Sequence, residues 1–240
     1  RHKVGVKEFA DEFYRVVKEL DPKVPLALHL DHTKTLDVIR EAMDAGFTSV
    51  MIDASEMDYA DNVAVTKEVV AMAHPRNITV EAELGKIGTT DFVETDHDEE
   101  LYTDPKEAKS FCEETNVDCL AVSVGTAHGV YTVRQPKVDY ARLEEINKLT
   151  KTPLVLHGGS GVPSEMVTKA AQMPTGGVSK VNIATDLELA MLAVVGKEGH
   201  LTEAELNSYS DEMIEKSREA VRLLVEDKIK NYLGSANKAQ

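Results

Sequence analysis

Short apolar runs recur along this chain, separated by stretches in which apolar residues return every three or four positions. The runs are Pro25 to Leu30, Ser49 to Asp53, Thr79 to Leu84, Cys119 to Val124, Pro153 to Leu156 and Ser179 to Ile183, and each predicts a strand. The wider spacing predicts helices. One spans Val6 to Leu20. Leu36, Ile39 and Met43 share a face of the next, and Gly46 follows as a stop signal. Asp104, Pro105 and Glu107 read as an N-cap, a proline at the first helical position and a capping acid. Leu143, Ile146 and Leu149 mark a further amphipathic helix. Near the end, Thr202 and Glu205 form a capping box ahead of apolar positions at Met213, Val221, Leu224, Ile229 and Leu233.

Strands that alternate with helices and are apolar on both faces predict a parallel sheet covered by helices, hence an α/β chain. The expected architecture is a TIM (β/α)8 barrel, incomplete with six strands in this chain. Two strands are then expected before residue 1, lost by truncation, by disorder or because the chain lacks them. No Ser- or Gly-rich linker divides the sequence, so residues 1–240 are expected to form a single barrel domain. Residues 200–240 are its C-terminal helical region, packed on the barrel or on a partner subunit.

The formal charge is -15. That argues against nucleic acid as a partner, which needs a basic footprint. It also repels anions, so a phosphorylated ligand would need strong local donors. Cys112 and Cys119 are the two cysteines, with no CxxC pattern to suggest a thiolate metal site. With no apolar run of membrane length and no charged-then-apolar leader, a soluble cytoplasmic location and no membrane partner are expected.

Three of the apolar runs lead into histidines: His32 in ALHLDH, His128 in CLAVSVGTAHG and His157 in PLVLHGGSG. In one parallel barrel these imidazoles converge at the C-terminal mouth and make a zinc site with an open position. A metal there polarises a carbonyl oxygen and stabilises an enolate. His29 could replace His32 as ligand, but a structural hydrogen-bonded role fits it better. His74 and His97 read as surface or loop residues. Asp31 adjoins His32, so the acid can face a substrate while the imidazole faces the metal. Glu81 and Glu83 share one side of a buried strand and need partners; Glu83 is nearer the mouth, and Glu81 reads as a structural carboxylate. The glycine turn HGGSG precedes a helix near Ser164 and suits a phosphate oxygen, as do Gly129 and the donors Asn182 and Thr185.

The motifs ALHLDH, DAGFTSVMIDAS, VEAELGKIG, TDPKEAKSF, DCLAVSVGTAHGVY, PLVLHGGSG and KVNIATDL run in order over residues 24 to 190. Together they resemble the class II, metal-dependent ketose-bisphosphate aldolases. The resemblance implies Zn2+ held by His32, His128 and His157, with Glu83 at a second metal position. It implies Asp31 as the group that moves the hydroxyl proton and Asn182 as a contact to the enediolate. Gly129, Gly158, Gly159, Ser160, Asn182 and Thr185 match the region that holds the triose phosphate, with a monovalent cation (Na+ or K+) beside it in some members. The implied reaction is reversible cleavage of a ketose 1,6-bisphosphate to glycerone phosphate and an aldehyde phosphate, by a homodimer or homotetramer.

Ala184 in NIATD is similar to the tagatose-type branch. The sequence departs from the family in its mobile loop, which reads GTTDFVETD. Thr90 stands where a catalytic Glu is expected, and Asp91, or Glu94, is the candidate replacement. Lys34 also departs from the small residue usual there, as a ligand for a negative group or a plain solvated lysine. An aldolase-like enzyme for a different sugar phosphate or acid, and a non-catalytic metal- and phosphate-binding homologue, both stay open.

Overall fold

The computed structural model describes residues 4–88, 101–131 and 135–238. Its elements are α1 (Val6–Leu20), β1 (His29–Thr33), α2 (Leu36–Ala45), β2 (Ser49–Ile52), α3 (Tyr59–Ala73), β3 (Thr79–Leu84), α4 (Pro105–Thr115), β4 (Cys119–Val122), α5 (Tyr140–Leu149), β5 (Leu154–Leu156), α6 (Ser164–Ala171), β6 (Val178–Val181), α7 (Thr185–Val195), α8 (Glu203–Ser208) and α9 (Asp211–Asp227). A π-helical turn, Lys228–Tyr232, continues α9. The local signals act as their chemistry dictates. Gly46 ends α2 in the left-handed region. The Asp104 carboxylate accepts the N–H groups of Lys106 and Glu107 at the start of α4, and Thr202 and Glu205 close a capping box on α8.

The six strands are parallel and pair in chain order, making an α/β fold that is part of a TIM barrel. Among the described residues β1 and β6 do not pair with each other. A flat sheet would hold them about 24 Å apart, given roughly 4.8 Å per neighbour. Instead, Lys180 Nζ on β6 lies 3.3 Å from His29 Nε2 on β1. The sheet is therefore curled until its two edges come within side-chain reach.

Period-two alternation sorts the faces. Val50, Val80, Leu120 and Leu154 point outward into one apolar core with Ile39, Phe111, Leu143 and Ile146 of the helices. The inner face is different from the sequence expectation of strands apolar on both sides. It carries a small patch of Met51, Ala121 and Val155 beside His29, Glu81, Glu83 and Lys180. Buried charge is tolerated there because the acids face a lysine and imidazoles from other strands.

Strand boundaries also shift. The run Pro25 to Leu30 is paired only from His29 on, and β1 extends to Thr33. Leu28 sits below the ladder, where its carbonyl accepts from Thr48 and Ser49. β4 and β6 stop at Val122 and Val181, so Asn182 lies just past its strand, with its N–H still donating to Leu156 O at 2.9 Å. The C-terminal helices pack on the barrel: α9 lies along α7, the π-helical turn touches α6, and Tyr232 joins the core. Among the described residues no helix is long and apolar enough to cross a membrane.

Candidate active site

Three nitrogens meet at the C-terminal mouth of the curled sheet. One ligand atom from each of His32, His128 and His157 lies within 4.8 Å of the others. His32 gets there by a backbone irregularity. β1 is bulged between Leu30 and Thr33, and His32 adopts φ 43° inside that bulge. A left-handed non-glycine residue costs about 1–2 kcal/mol, and the return is an imidazole turned inward while Asp31 stays exposed. His32 thus lies within the strand, not beyond its end as the sequence suggested. His128 follows β4 after a short turn, with its N–H donating to Gly88 O at 2.9 Å. His157, fully buried, follows β5 directly, and Thr126 Oγ1 holds its carbonyl at 2.7 Å.

Each of two imidazoles has its outer nitrogen on a carboxylate. His32 Nδ1 is 3.0 Å from Asp53 Oδ2, and His157 Nε2 is 2.9 Å from Glu81 Oε1. Burial resists charge on both acids, but other contacts prevail. Hydrogen bonds from His32 and Ser55 hold the Asp53 carboxyl well below the usual range. His157 and Lys180 hold Glu81 down to about 2. With protons on the outer nitrogens, the tautomers follow from the network. The inner nitrogens, His32 Nε2 and His157 Nδ1, are then 2.8 Å apart, each with a lone pair when both rings are neutral. Against burial, Asp53, Asp31 and Glu83 raise the His32 pKa, so positive charge is favoured between them. His128 adds a neutral imidazole. Burial, then the neighbouring His32 and His157, push its pKa down to about 4.

Such a cluster calls for a cation, and one more atom agrees. Glu83 Oε2 is buried without a hydrogen-bond partner among the described residues. It lies 3.7 Å from His157 Nδ1 and 4.0 Å from His32 Nδ1. Burial, then the charge of Asp53, raise Glu83 to about 8. An orphaned acid beside converging lone pairs fits a divalent metal with nitrogen and oxygen ligands. Asp53→Asn should weaken zinc affinity about 10- to 100-fold while leaving the fold intact. A competition titration with a chelating dye checks this; unchanged affinity would remove Asp53 from any orienting role.

Around this centre the other predicted residues take distinct places. Asp31 Oδ1 accepts from Asn182 Nδ2 at 3.0 Å, and the same amide lies 3.1 Å from His157 Nε2. His29 has a hydrogen-bonded place, with Nδ1 2.8 Å from Ser49 Oγ. The glycine turn is tightly fitted. Gly158 has φ 66°, and a Cβ there would stand 2.4 Å from Ala127 O. Gly159 donates its N–H to Asn182 O at 3.0 Å, and a Cβ would meet Val181 Cγ1 at 2.6 Å. Ser160 Oγ accepts the N–H of Asp186, one residue past Thr185 at the start of α7. Gly129 follows His128 with φ 116°. Lys34 is exposed, and His74 pairs with Asp118 at 3.0 Å, away from the centre. Asp91, Glu94 and His97 lie outside the described residues.

Sequence reasoning did not single out Asp53 or Lys180. Asp53 had a usable signal: an acid ending the run SVMID, one strand away from His32. Lys180 had none, because its partner Glu81 is 99 residues distant.

The chain is similar to known proteins. The family model described as "Fructose-bisphosphate aldolase class-II" matches residues 1–238. The YdjI aldolase from Escherichia coli K12 is similar at 32% identity and TM-score 0.79, over 98% of this chain and 78% of that one. A putative fructose-1,6-biphosphate aldolase from Coccidioides immitis is similar at 30% identity and TM-score 0.78, over 98% and 82%. The Fructose-bisphosphate Aldolase (Fba) from Campylobacter jejuni shares the fold at 22% identity and TM-score 0.73, over 95% and 75%.

Proposed function

We propose that this chain, which belongs to the class II fructose-bisphosphate aldolase family, is a Zn2+-dependent lyase that reversibly splits a ketose 1,6-bisphosphate into glycerone phosphate and an aldehyde phosphate. The observation that supports this most is the convergence of His32, His128 and His157 with the orphaned Glu83 Oε2. Those residues would hold the metal, which when bound supplies Lewis-acid polarisation of the substrate carbonyl. Asp31, half-exposed at the mouth, takes the proton of the substrate's C4 hydroxyl and returns it in the reverse direction. Asn182, steadied by Asp31, directs its amide at the oxygen on which negative charge develops.

The triose phosphate lies over the glycine turn and the start of α7, where backbone N–H groups favour an anion. Since the Gly159 N–H is committed to Asn182 O, Gly159 serves by close packing, and the amides of Gly129, Gly158 and Ser160 with the Thr185 hydroxyl serve as donors. We assign Asp91 the second proton-transferring carboxylate. Ala184, at the N-cap of α7, carries no acid at that position, which supports a tagatose-type ketose. A single domain over residues 1–240, a monovalent cation (Na+ or K+) beside the phosphate, a homodimer or homotetramer and a cytoplasmic location complete the proposal.

Chelation should abolish cleavage, and Zn2+ should restore it, with tagatose 1,6-bisphosphate turned over faster than the fructose epimer. A zinc-loaded protein that cleaves neither would overturn the assignment.

A further inference from the structure

The glycine turn at residues 157–161 is gripped from behind by a segment some seventy residues later. Tyr232, 4% exposed, donates its hydroxyl to the Gly159 carbonyl. The other side of Gly159 is pressed on the end of β6, through Val181 and the following Asn182 O. Lys228 Nζ lies 2.5 Å from Asp186 Oδ2, the same oxygen that accepts the Gly161 N–H at 3.4 Å. The Asp186 N–H in turn donates to Ser160 Oγ. Lys228 also lies over the Tyr232 ring, 4.0 Å from its centroid, and Thr168 Oγ1 donates to Tyr232 O at 3.2 Å. One π-helical turn therefore meets the middle of the glycine turn directly and its far end through Asp186.

We propose that Lys228–Tyr232 is a strap that sets the shape of the glycine turn, making Tyr232 and Lys228 positioning residues for the substrate's phosphate. This rests on the glycine turn being the phosphate cradle. Three glycines in five residues leave a chain with much freedom to lose, and an amide cradle binds well only when its N–H groups are already aligned. The strap removes that freedom before the anion arrives. A tyrosine needed only to fill the core would use its ring alone; this one directs its hydroxyl at the carbonyl in the centre of the turn.

The test uses full-length, zinc-loaded Tyr232→Phe and Lys228→Met. Inorganic phosphate affinity, KM, kcat, zinc content, thermal unfolding and hydrogen exchange of the amides at 158–161 are measured for each. Tyr232→Phe is expected to weaken phosphate binding and raise KM about tenfold, the loss of one hydrogen bond. Zinc content should stay unchanged, kcat should change less than KM, and the turn amides should exchange faster. Lys228→Met should move the same quantities in the same direction, and it decides the matter if Tyr232→Phe does not fold. Lowered thermal stability with unchanged phosphate affinity and unchanged exchange at 158–161 would overturn the strap. Absence of cleavage in the unsubstituted protein refutes the lyase assignment but leaves the phosphate and exchange measurements decisive. Absence of phosphate affinity there overturns the cradle and the strap together.

Discussion

Asp31→Asn is expected to slow ketose-bisphosphate cleavage about 10²- to 10⁴-fold, the usual worth of a positioned general base, while zinc stays bound. Asparagine keeps the volume of the side chain and an oxygen that can still accept from Asn182. What it loses is the ability to take a proton. The bulge in β1 sends Asp31 and His32 in different directions, so the inner nitrogens of the metal cluster are untouched. Zinc content by elemental analysis and cleavage rate should therefore separate cleanly. If Asp31→Asn retains full cleavage, another group is the base, and the exposed position of Asp31 has no catalytic meaning.

Without metal, the protein should lose stability as pH rises from about 6.5 to about 8, and zinc should reverse that loss. Glu83 is the cause: burial first, then the charge of Asp53, raise its pKa from 4.5 to about 8. Between those values the folded chain keeps a proton that the unfolded chain has released, so rising pH favours unfolding. Below about 6.5 this slope is opposed by His128, which the fold keeps neutral while the unfolded chain protonates it; above that the Glu83 loss amounts to about 2 kcal/mol. Glu81 has the opposite sign. Its depressed pKa gives stability that is present above about 4.5 and lost as pH falls toward 2. The metal-free protein should thus be most stable in mild acid. A bound cation favours ionised Glu83, so the gap in Tm between zinc-loaded and chelator-treated protein should widen between about pH 5 and about pH 8. A gap independent of pH would show that Glu83 does not face the ion.

Much of this molecule was legible in its sequence where the deciding forces are local. The helix Val6–Leu20 and the strand Thr79–Leu84 have the expected boundaries because spacing, caps and stop signals lie within a few residues of each end. The caps at Asp104 and Thr202 were legible for the same reason. β1 was misplaced because Pro25 to Leu28 are as apolar as paired residues, yet pairing is decided by the neighbouring strand. The three histidines stood out through their repeated context. Glu81 stood out as a buried acid in need of partners, but those partners and the roles of Asp53 and Lys180 appear only once distant strands are side by side. The grip of Tyr232 on Gly159 spans 73 residues and has no counterpart in any local pattern.

The alternation along β3 has a consequence for how this chain avoids misfolding. Val80, Ala82 and Leu84 enter the outer oil, while Glu81 and Glu83 enter the interior between them. Sliding β3 by a single residue against β2 and β4 would exchange the two sets. Two carboxylates would be driven into hydrocarbon far from any lysine or imidazole, at a cost of several kcal/mol each. The acids beside the histidine cluster at the mouth therefore also proofread the register of the strand that bears them.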